Sequence, residues 1–474
     1  MKRIINRFGI PILPTILIIL ATAWCAQALA QPPAGDPSKL EDLEVLDLET
    51  AARMALADNP SLKAALERVI QAREAVRQAR SAYWPRLDLE GSGARVTLSD
   101  TAYDAQLSQA QLIESIGGPP ATVEESEEYY SASLTASWIL FDGFARRFNL
   151  AAAKSGEQSS QAAREDAQRL LLSAVIGSFL NAQLALENVA IAKADVAFNQ
   201  RLLSEAKLRY DVGTGALSDV LNFEVQANAA HSERITADRV YQTSRIGLAA
   251  LLGIPQARLP EKTRLSDLTP ATEAELRKPD AESLLQAAYD RRPDLQLSEY
   301  SVQQAEALAK SARAGYWPTL IVSGSYDGER VEDAGFESED FGNTIALSLQ
   351  YNLFSGGLTH AKHQQAKARL RELERLQENA RINITSEVQS VLAGVDSAQQ
   401  QLLLQRRNAN LVQRNRDLVE KEYKAGVGSL VRLNEAQRDL IRAQVRLASA
   451  RAALRGAWYD LETATGQVVE IFNK

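Results

Sequence analysis

Four segments of the chain alternate apolar and polar residues with a period of two, which is the pattern of β-strands that have one apolar face. The two clearest are residues 130–141 and 344–354. Weaker alternating segments follow the pairs Trp84-Pro85 and Trp317-Pro318. The pattern therefore predicts four strands, in two pairs separated by long stretches of a different periodicity.

Most of the remaining chain has the spacing of long helices. Residues 144–209 and 357–422 contain no internal proline, and at a rise of 1.5 Å per residue each would extend about 100 Å. Shorter helices are predicted before each strand pair, at residues 60–83 and 293–316, and after each long helix. Because the two shorter helices of each half together nearly equal the long one, we expect them to stack end to end alongside it, antiparallel.

The last helix carries a heptad repeat. Leucine recurs every seven residues from Leu433 to Leu461, and alanine recurs every seven residues from Ala436 to Ala464. This is the a/d seam of a coiled coil, in which alanine allows two helices to approach closely. We therefore expect these ten side chains to be buried.

The whole pattern occurs twice. Three motifs recur at a spacing of 213 residues: WILFDGF and YNLFSGG around Phe141 and Phe354, YDVGTG and YKAGVG around Tyr210 and Tyr423, and LLG and ATG around Gly253 and Gly466. The Trp-Pro pairs are 233 residues apart, so the first copy contains 20 extra residues between its first two strands. The polar, acidic links at residues 99–128 and 327–342 are predicted to be exposed loops, and the extra residues fall in the first of them.

This duplication, together with the N-terminal composition, suggests five segments. They are a signal peptide at 1–30, a first structural repeat at 31–253, a connector at 254–280, a second repeat at 281–466 and a C-terminal tail at 467–474. The connector contains four prolines and shows no sign of an independent domain.

The first thirty residues have the form of a cleaved secretion signal. A basic start is followed by the apolar residues 9–24 and by the small-x-small sequence Ala28-Leu29-Ala30. The only cysteine, Cys25, is therefore removed with the signal. The alternative, lipidation of Cys25, is disfavoured because it needs small residues just before the cysteine, and Trp24 is bulky.

Export leaves an acidic protein without cysteine. Loss of the three basic residues of the signal changes the formal charge from −7 to −10. Nucleic acid is not expected as a partner, because phosphate binding requires positive charge. Disulfides and thiolate metal ligands are also excluded, so stability must come from packing or oligomerisation.

The strands favour insertion into an outer membrane. After the signal, no stretch is apolar for the roughly 20 residues that a membrane helix needs. From alternation alone, a soluble antiparallel sheet with one buried face is the alternative. Aromatic residues at strand ends instead favour a membrane-interface girdle: Trp84, Trp138, Phe141, Trp317, Tyr351 and Phe354. Four strands cannot close a membrane barrel, so several chains must share one.

Taken together, these motifs resemble the TolC-like outer membrane efflux protein family. The resemblance covers nearly the whole mature chain and depends on the order and duplication of several motifs: NPSL and RRPDL, WPRLDLEGSG and WPTLIVSGSY, LFDG and LFSG, and YDVGTGALSDVLNFE and YKAGVGSLVRLNEAQ. It implies an α+β, mainly α fold in a homotrimer. Each chain would contribute four strands to a 12-stranded outer-membrane β-barrel, and long antiparallel coiled-coil helices would form a periplasmic α-barrel.

The resemblance also implies a gate at the glycine turns, which would lie at the periplasmic tip and meet a periplasmic adaptor protein. The corresponding residues are Tyr210, Gly213, Gly215 and Asp219 in the first copy, and Tyr423, Gly426, Gly428, Arg432 and Glu435 in the second. Asp219 and Glu435 match acids that attract cations in the family. Arg432 replaces a second acid, and Gly428 replaces a gate arginine. Without the resemblance, the favoured interpretation of Asp219 and Glu435 is that they are solvated carboxylates stabilised by a helix N-terminus. With it, a channel-lining role is about equally favoured.

No enzymatic chemistry is expected. The chain has no glycine-rich phosphate loop and no sequence-readable nucleophile-base arrangement. His360 and His363 are one helical turn apart, but no third metal ligand occurs at a recognisable spacing. The predicted function is passive conduction of small toxic compounds from an inner-membrane transporter, through the adaptor, to the outside. The alternatives are the outer-membrane component of type I protein secretion and, less favoured, a soluble periplasmic coiled-coil scaffold.

Overall fold

The computed structural model describes residues 44–120 and 122–472. The predicted signal peptide and Cys25 lie outside the described residues. Two short segments, residues 44–46 and Pro260–Arg264, form a small unit of their own, in which the Arg264 N–H donates to the Glu44 carbonyl at 2.9 Å. All other described residues belong to the larger unit.

The first half of the chain has three strands and five helices. In chain order they are β1 (Val45–Leu46), α1 (Leu48–Asp58), α2 (Pro60–Ser81), β2 (Arg86–Thr97), α3 (Asp100–Ser115), β3 (Ser126–Phe141), α4 (Ala145–Asp211) and α5 (Leu217–Leu251). The helix α4 has 67 residues, close to the length predicted.

The second half follows the same order, except that its described residues contain no counterpart of α3, it ends in an additional helix, and its first strand lies within the connector. Its elements are β4 (Arg264–Leu265), α6 (Ala281–Arg291), α7 (Pro293–Ala312), β5 (Thr319–Val331), β6 (Phe341–Gln350), α8 (Leu358–Lys424), α9 (Leu430–Ala464) and α10 (Val468–Phe472). The helix α8 also has 67 residues. The segment interpreted as a C-terminal tail contains α10, whose Val468 and Phe472 are buried.

The long helices lie side by side in one layer. The helix α4 packs against α2 and α5, and also against α7 and α9, while α8 packs against α7 and α9. The pair α7 and α9 therefore lies between the two long helices. One border of the layer is formed by α2 and α5, and the other by α8.

The shorter helices stack end to end, as predicted. The Asn59 side chain at the start of α2 donates to the Leu251 carbonyl at the end of α5 over 2.8 Å. Gly253 follows with φ of +78°, and a Cβ there would lie 3.0 Å from the Asn59 Cα, so only glycine fits. In the second copy, Arg292 donates to the Ala464 carbonyl over 3.1 Å and joins α7 to α9.

The heptad seam of α9 is confirmed. Eight of its ten positions are buried, and Leu447 and Ala457 are partly buried. The Leu454 side chain packs against Leu402 of α8, and Leu433 packs against α4, α5 and α8 side chains at the far end.

The four long strands form one antiparallel sheet in the order β2-β3-β5-β6. The register places apolar residues opposite one another, as in Leu89 with Leu134 and Trp138 with Val322. The other face is polar: Ser92 and Ser131 are partners, and their hydroxyls lie 2.8 Å apart. The predicted division into an apolar and a polar face is therefore confirmed across the sheet.

The fourth strand ends earlier than predicted. We expected it to reach Phe354, but β6 ends at Gln350, so Tyr351 and Phe354 lie beyond the sheet. The partner strand explains this, since Gln350 pairs with Thr319, which follows Pro318. Because proline has no N–H to donate, the pairing stops there.

The expectation of a loop at residues 99–128 was wrong. The segment contains the helix α3, and its acidic end enters β3 at Ser126. Ser99 caps α3 by accepting a hydrogen bond from the Ala102 N–H at 3.4 Å, and alanine, glutamine and leucine in its interior favour a helix. The second predicted loop is shorter than expected, because β5 and β6 extend into it.

One helix of the described part of the chain is long and apolar enough to cross a membrane. It is α4, whose most apolar stretch has a mean hydropathy of 1.5. The expectation that no such stretch follows the signal was therefore wrong. Half of that stretch is buried inside the chain. The helix also carries Leu172, Ile176 and Leu180, which pack against α1 and α10. A buried core helix has the same hydropathy, so this is weak evidence for a membrane span.

Candidate functional site

The first glycine turn closes the hairpin of α4 and α5. Gly213 has φ of +79°, and the N–H groups of Thr214 and Gly215 both donate to the Arg209 carbonyl, at 2.8 and 3.0 Å. A Cβ on Gly215 would lie 2.9 Å from the Arg209 Cβ. Both glycines are therefore needed for the chain to reverse direction.

The second turn, between α8 and α9, repeats this geometry. Gly426 has φ of +81°, and the Val427 and Gly428 N–H groups donate to the Glu422 carbonyl at 3.1 and 3.0 Å. A Cβ on Gly428 would lie 2.8 Å from the Tyr423 nitrogen. The turn therefore has no room for an arginine at Gly428, the position where the resemblance implies one.

A hydrophobic core joins the two hairpins near their turns. Residues of α4, α5, α8 and α9 contribute to it: Phe198, Leu202, Ala206, Val220, Phe223, Val419, Leu433 and Ala436. The Phe223 and Tyr423 rings meet edge to face, with centroids 6.1 Å apart. The two predicted turns thus end a single four-helix assembly.

A charged cluster also connects α4 to α8. Glu420 accepts from Arg201 at 2.8 Å, from Arg416 at 2.7 Å and from Lys424 at 3.1 Å. The guanidinium groups of Arg201 and Arg416 lie 5.3 and 5.2 Å from the centre of the Phe198 ring. The sequence did not predict this cluster, because Arg201 lies more than 200 residues from Arg416, Glu420 and Lys424 in the chain.

A polar contact lies deeper between α4 and α9. The Asp195 carboxylate accepts from Gln437 at 2.7 Å and from Asn199 at 3.1 Å. Burial raises the pKa of Asp195, while the two amide donors lower it. One turn from the start of α9, Asn434 donates to Asn222 of α5 over 2.8 Å.

The structure separates the predicted tip residues into two groups. Tyr423 is partly buried and lies 5.8 Å from the Arg209 guanidinium, so one tyrosine and one arginine of the tip do meet. Burial raises the pKa of Tyr423, and the negative charge of Asp219 raises it further. Tyr210, by contrast, is exposed.

The polar tip residues of the second copy are exposed. Arg432, which takes the repeat position of Asp219, pairs with Glu422 across the turn at 3.4 Å. Glu435 is exposed on the next turn of α9. The roles of these residues stay predictions.

All six predicted interface aromatics lie at one end of the sheet, where strands join helices. Trp84 precedes β2, Trp138 and Phe141 end β3, Trp317 precedes β5, and Tyr351 and Phe354 follow β6. Because the strands are antiparallel, these positions all lie at the same end of the sheet. A second aromatic group, with Tyr129 on β3, occupies the opposite end. Tyr129 and Trp138 are about 30 Å apart along the strand, enough for a tilted strand to span most of a bilayer's apolar band of about 25 Å.

An ion pair that the sequence analysis did not identify connects α4 to the same end of the sheet. Arg146 on α4 bonds the Asp142 carboxylate at 3.0 Å and donates to the Ile139 carbonyl at 2.7 Å and the Ala82 carbonyl at 3.3 Å. Its guanidinium also lies 5.3 Å from the centre of the Tyr83 ring. The i, i+4 spacing of aspartate and arginine in LFDGFAR was the signal that could have identified it.

His360 and His363 lie in the first two turns of α8. The His363 ring meets Tyr316 edge to face at 5.8 Å, and partial burial and nearby positive charges lower the pKa of His363. Within residues 44–120 and 122–472, no group of three or more potential ligands is arranged to hold a metal ion.

Comparison with known proteins gives a consistent result. The model of the outer membrane efflux protein family matches residues 51–254 and 284–467. The pyoverdine export outer membrane protein OpmQ of Pseudomonas aeruginosa is 26% identical over 432 residues, covering 87% of this chain and 85% of OpmQ. The outer membrane efflux protein BepC of Brucella suis is 25% identical over 376 residues, covering 79% of each chain.

A solved structure has the same fold. The CmeC outer membrane channel of Campylobacter jejuni superposes with a TM-score of 0.74 at 18% identity, covering 93% of this chain and 89% of CmeC. At this identity the likeness shows the fold alone. It extends over both copies of the repeat, including both hairpins and the sheet.

Proposed function

This chain belongs to the outer membrane efflux protein family, and we propose that three copies of it form the exit duct of a tripartite efflux pump. It is an outer membrane protein of the TolC-like fold, with long helices that extend into the periplasm. An inner-membrane transporter and a periplasmic adaptor supply the duct with small toxic compounds, which pass through it without chemical change.

The observation that most strongly supports this proposal is the open sheet. Within the described residues, β2 and β6 each have a partner on one side only, and their side chains are almost all exposed. Lipid cannot satisfy the N–H and C=O groups of an open edge, so β6 of one copy must pair with β2 of the next. Two copies would give a barrel of eight strands, and side chains fill the interior of a barrel of that size. Three copies would give a barrel of twelve strands, which leaves a passage.

The helical layer supports the same assembly. One border of the helical layer, α2 with α5, comes from the first half of the chain, and the other, α8, comes from the second half. The two edges of the sheet are likewise β2 from the first half and β6 from the second. Repeating the chain around an axis would close both layers together. The glycine turns then form the periplasmic tip, where the adaptor contacts the duct.

Deletion of the gene should sensitise cells to small toxic compounds while leaving secreted proteins unchanged. Susceptibility to a panel of dyes, detergents and antibiotics measures the first effect, and the culture supernatant measures the second. We expect at least about a fourfold lower inhibitory concentration, restored by the intact gene on a plasmid. Loss of a secreted protein with unchanged susceptibility would instead favour type I secretion, which uses the same architecture.

Replacing Asp219 and Glu435 together by alanine should lower the preference of the channel for cations. Both acids follow the glycine turns of the tip, and a ring of carboxylates raises the local cation concentration. The measurement is the reversal potential of single channels in a planar bilayer under a KCl gradient. We expect a cation-to-anion permeability ratio lower by about twofold or more.

The matched control removes two acids from the same two helices. Asp238→Ala with Asp460→Ala changes the charge equally, but both positions lie at least about 28 Å further along their helices. This distance exceeds the screening length of about 10 Å, so the permeability ratio should not change. Equal effects of the two double variants would refute a role for the tip acids.

A further inference from the structure

Positive charge is concentrated on the helices that adjoin the periplasmic end of the sheet. Arg80 on α2 and Arg313 directly after α7 each lie four residues before the tryptophan of a Trp-Pro pair. Lys154 on α4 and Lys367 on α8 each lie nine residues after the start of their helix. Both pairs are equivalent in the repeat, with spacings of 233 and 213 residues. The two copies therefore carry the same arrangement of an arginine and a lysine.

These four residues, which we call the basic patch, are exposed and unpaired. Among residues 44–120 and 122–472, none of the four has a carboxylate oxygen within 4.0 Å. Three other basic residues near this end of the sheet are held by acids, in the pairs Arg77–Glu74, Lys310–Glu306 and Arg146–Asp142. The charges of the basic patch are therefore available to a partner outside the chain.

The basic patch lies on the side of the helical layer that continues the apolar face of the sheet. Phe141 pairs with Leu320, two residues from Val322 on that face. The Phe141 ring meets the ring of Phe144, just before α4, with centroids 5.5 Å apart. Lys154 follows Phe144 by ten residues, or nearly three turns, which places both on one side of α4. Because α4 has α2 on one flank and α7 on the other, Lys154 does not face a neighbouring copy.

In the second copy, the residues of the basic patch lie close together. The His363 ring packs against Tyr316 between α7 and α8. Partial burial lowers the pKa of His363, and the positive charges of Lys367 and Arg313 lower it further, so both side chains lie near this ring. Like charges at such a distance repel each other, and an anion between them would relieve the repulsion. Lys367 takes the repeat position of Lys154 and thus the same side of the layer.

The opposite end of the sheet carries the opposite charge. Residues 99–128 and 327–342 connect the strands there and contain 14 acidic residues and one basic residue. Anionic groups are therefore repelled at that end and attracted at the end beside the helices. Basic segments next to a membrane are attracted by the headgroups of its anionic lipids. Since the helices extend into the periplasm, the leaflet that adjoins the basic patch is the periplasmic one.

We propose that the basic patch binds the headgroups of anionic phospholipids in the periplasmic leaflet of the outer membrane. The two arginines lie about one helical turn from tryptophans, which favour the headgroup level, and a guanidinium can donate two hydrogen bonds to one phosphate. The two lysines lie about 14 Å along their helices, and their long side chains extend toward the membrane. Because attraction in salt decays over about 8 Å, the arginines contribute more than the lysines.

Quenching of tryptophan fluorescence by brominated lipid tests this proposal, because Trp84, Trp138 and Trp317 lie at the same end of the sheet. The full-length protein is reconstituted into vesicles of equal parts phosphatidylglycerol and phosphatidylcholine, with bromine on the chains of one lipid or the other. We expect phosphatidylglycerol to associate about threefold or more strongly than phosphatidylcholine at low salt. In 1 M NaCl, where the screening length is about 3 Å, this preference should largely disappear. Equal quenching by the two lipids at low salt would overturn the proposal.

Two double variants locate the preference within the basic patch. Arg80→Gln with Arg313→Gln should lower the preference for phosphatidylglycerol by about twofold or more. Lys154→Gln with Lys367→Gln removes the same charge further from the membrane and should lower it less. If neither variant changes the preference, the lipid binds elsewhere and the basic patch is refuted. A change in ion permeability of the channel without a change in lipid preference would place these residues on the passage and would also refute it.

The matched control is Lys193→Gln with Arg406→Gln. These two residues are exposed, unpaired among the described residues and equivalent in the repeat, and they lie on the same two helices as the lysines of the basic patch. They are about 58 Å further from the membrane, so the lipid preference should not change. A reduction as large as that of the arginine variant would mean that overall charge is responsible, and the proposal fails. Because the vesicles contain no pump partner, this failure would leave the proposed duct unaffected.

Discussion

Replacing Arg292 by alanine should destabilise the chain by about 1–3 kcal/mol. The Arg292 side chain is 4% exposed and bonds the Asp294 carboxylate at 2.8 Å and the Glu387 carboxylate at 2.6 Å. It also donates to the Ala464 carbonyl at the end of α9 over 3.1 Å. The substitution leaves two carboxylates and a buried carbonyl without their donor, at the junction where α7 and α9 meet. Thermal unfolding of the detergent-solubilised protein, followed by circular dichroism at one heating rate, measures the loss.

The neighbouring Arg291 provides the matched control. Its side chain is 44% exposed and makes one ion pair, with Glu470 at 2.9 Å. An exposed pair of this kind contributes up to about 1 kcal/mol, so Arg291→Ala should unfold close to the wild-type temperature. If both variants unfold at the same lowered temperature, the loss of an arginine charge matters more than the buried contacts, and the interpretation fails.

The difference between wild type and Arg292→Ala should also depend on pH. Burial opposes ionisation of Asp294, but the hydrogen bond and the charge of Arg292 outweigh it and hold the pKa of Asp294 below its usual value. The unfolded chain therefore takes up this proton at a higher pH than the folded chain does. The contribution is fully present above the ordinary aspartate pKa of about 4 and is lost as the pH falls through the folded value. The gap in unfolding temperature should narrow below about pH 4.

The parts of the fold that the sequence predicted are those governed by local periodicity. A period of two fixed which face of β3 and β5 is apolar, and the seven-residue spacing from Leu433 to Leu461 fixed the buried seam of α9. The duplication also predicted the order of the elements, since the motifs occur in the same order in both halves of the chain. The turns at Gly213 and Gly426 were also predictable, because few residues other than glycine adopt a positive φ.

The features that the sequence did not reveal have two causes, namely contacts between residues far apart in the chain and a composition that helices and loops share. The end of β6 is set by Pro318 on the neighbouring strand, so no pattern within residues 341–354 could locate it. The helix α3 was not predicted, because its polar composition is as typical of an exposed helix as of a loop. At the predicted tip, the glycines and Tyr423 could be placed, but the contact of Tyr423 with Phe223 of the other hairpin could not.

Removing the ion pair between Asp142 and Arg146, which are only four residues apart in the chain, should prevent normal assembly. Both side chains are largely buried, 15% and 14% exposed, where the sheet meets α4. Arg146→Ala leaves the Asp142 carboxylate and the Ile139 and Leu140 carbonyls without this donor. We expect a loss of about 3–5 kcal/mol in stability. The amount of the proposed trimer, measured on an unheated detergent gel of outer membrane fractions, should fall several-fold.

Two further substitutions show whether the geometry of Arg146 is responsible. Arg146→Lys keeps the charge but not the planar fork of donors, so its trimer yield should lie between those of wild type and Arg146→Ala. Arg147→Ala removes an exposed arginine from the next position of the same helix and should assemble normally. In the second repeat, Ser355 and Thr359 take the equivalent positions, with hydroxyls 3.4 Å apart, so that copy does not duplicate the ion pair. Full assembly of Arg146→Ala would mean that the β-bulge near Ile139 and the close packing of Gly143 against Ala314 and Trp317 hold this junction without the arginine.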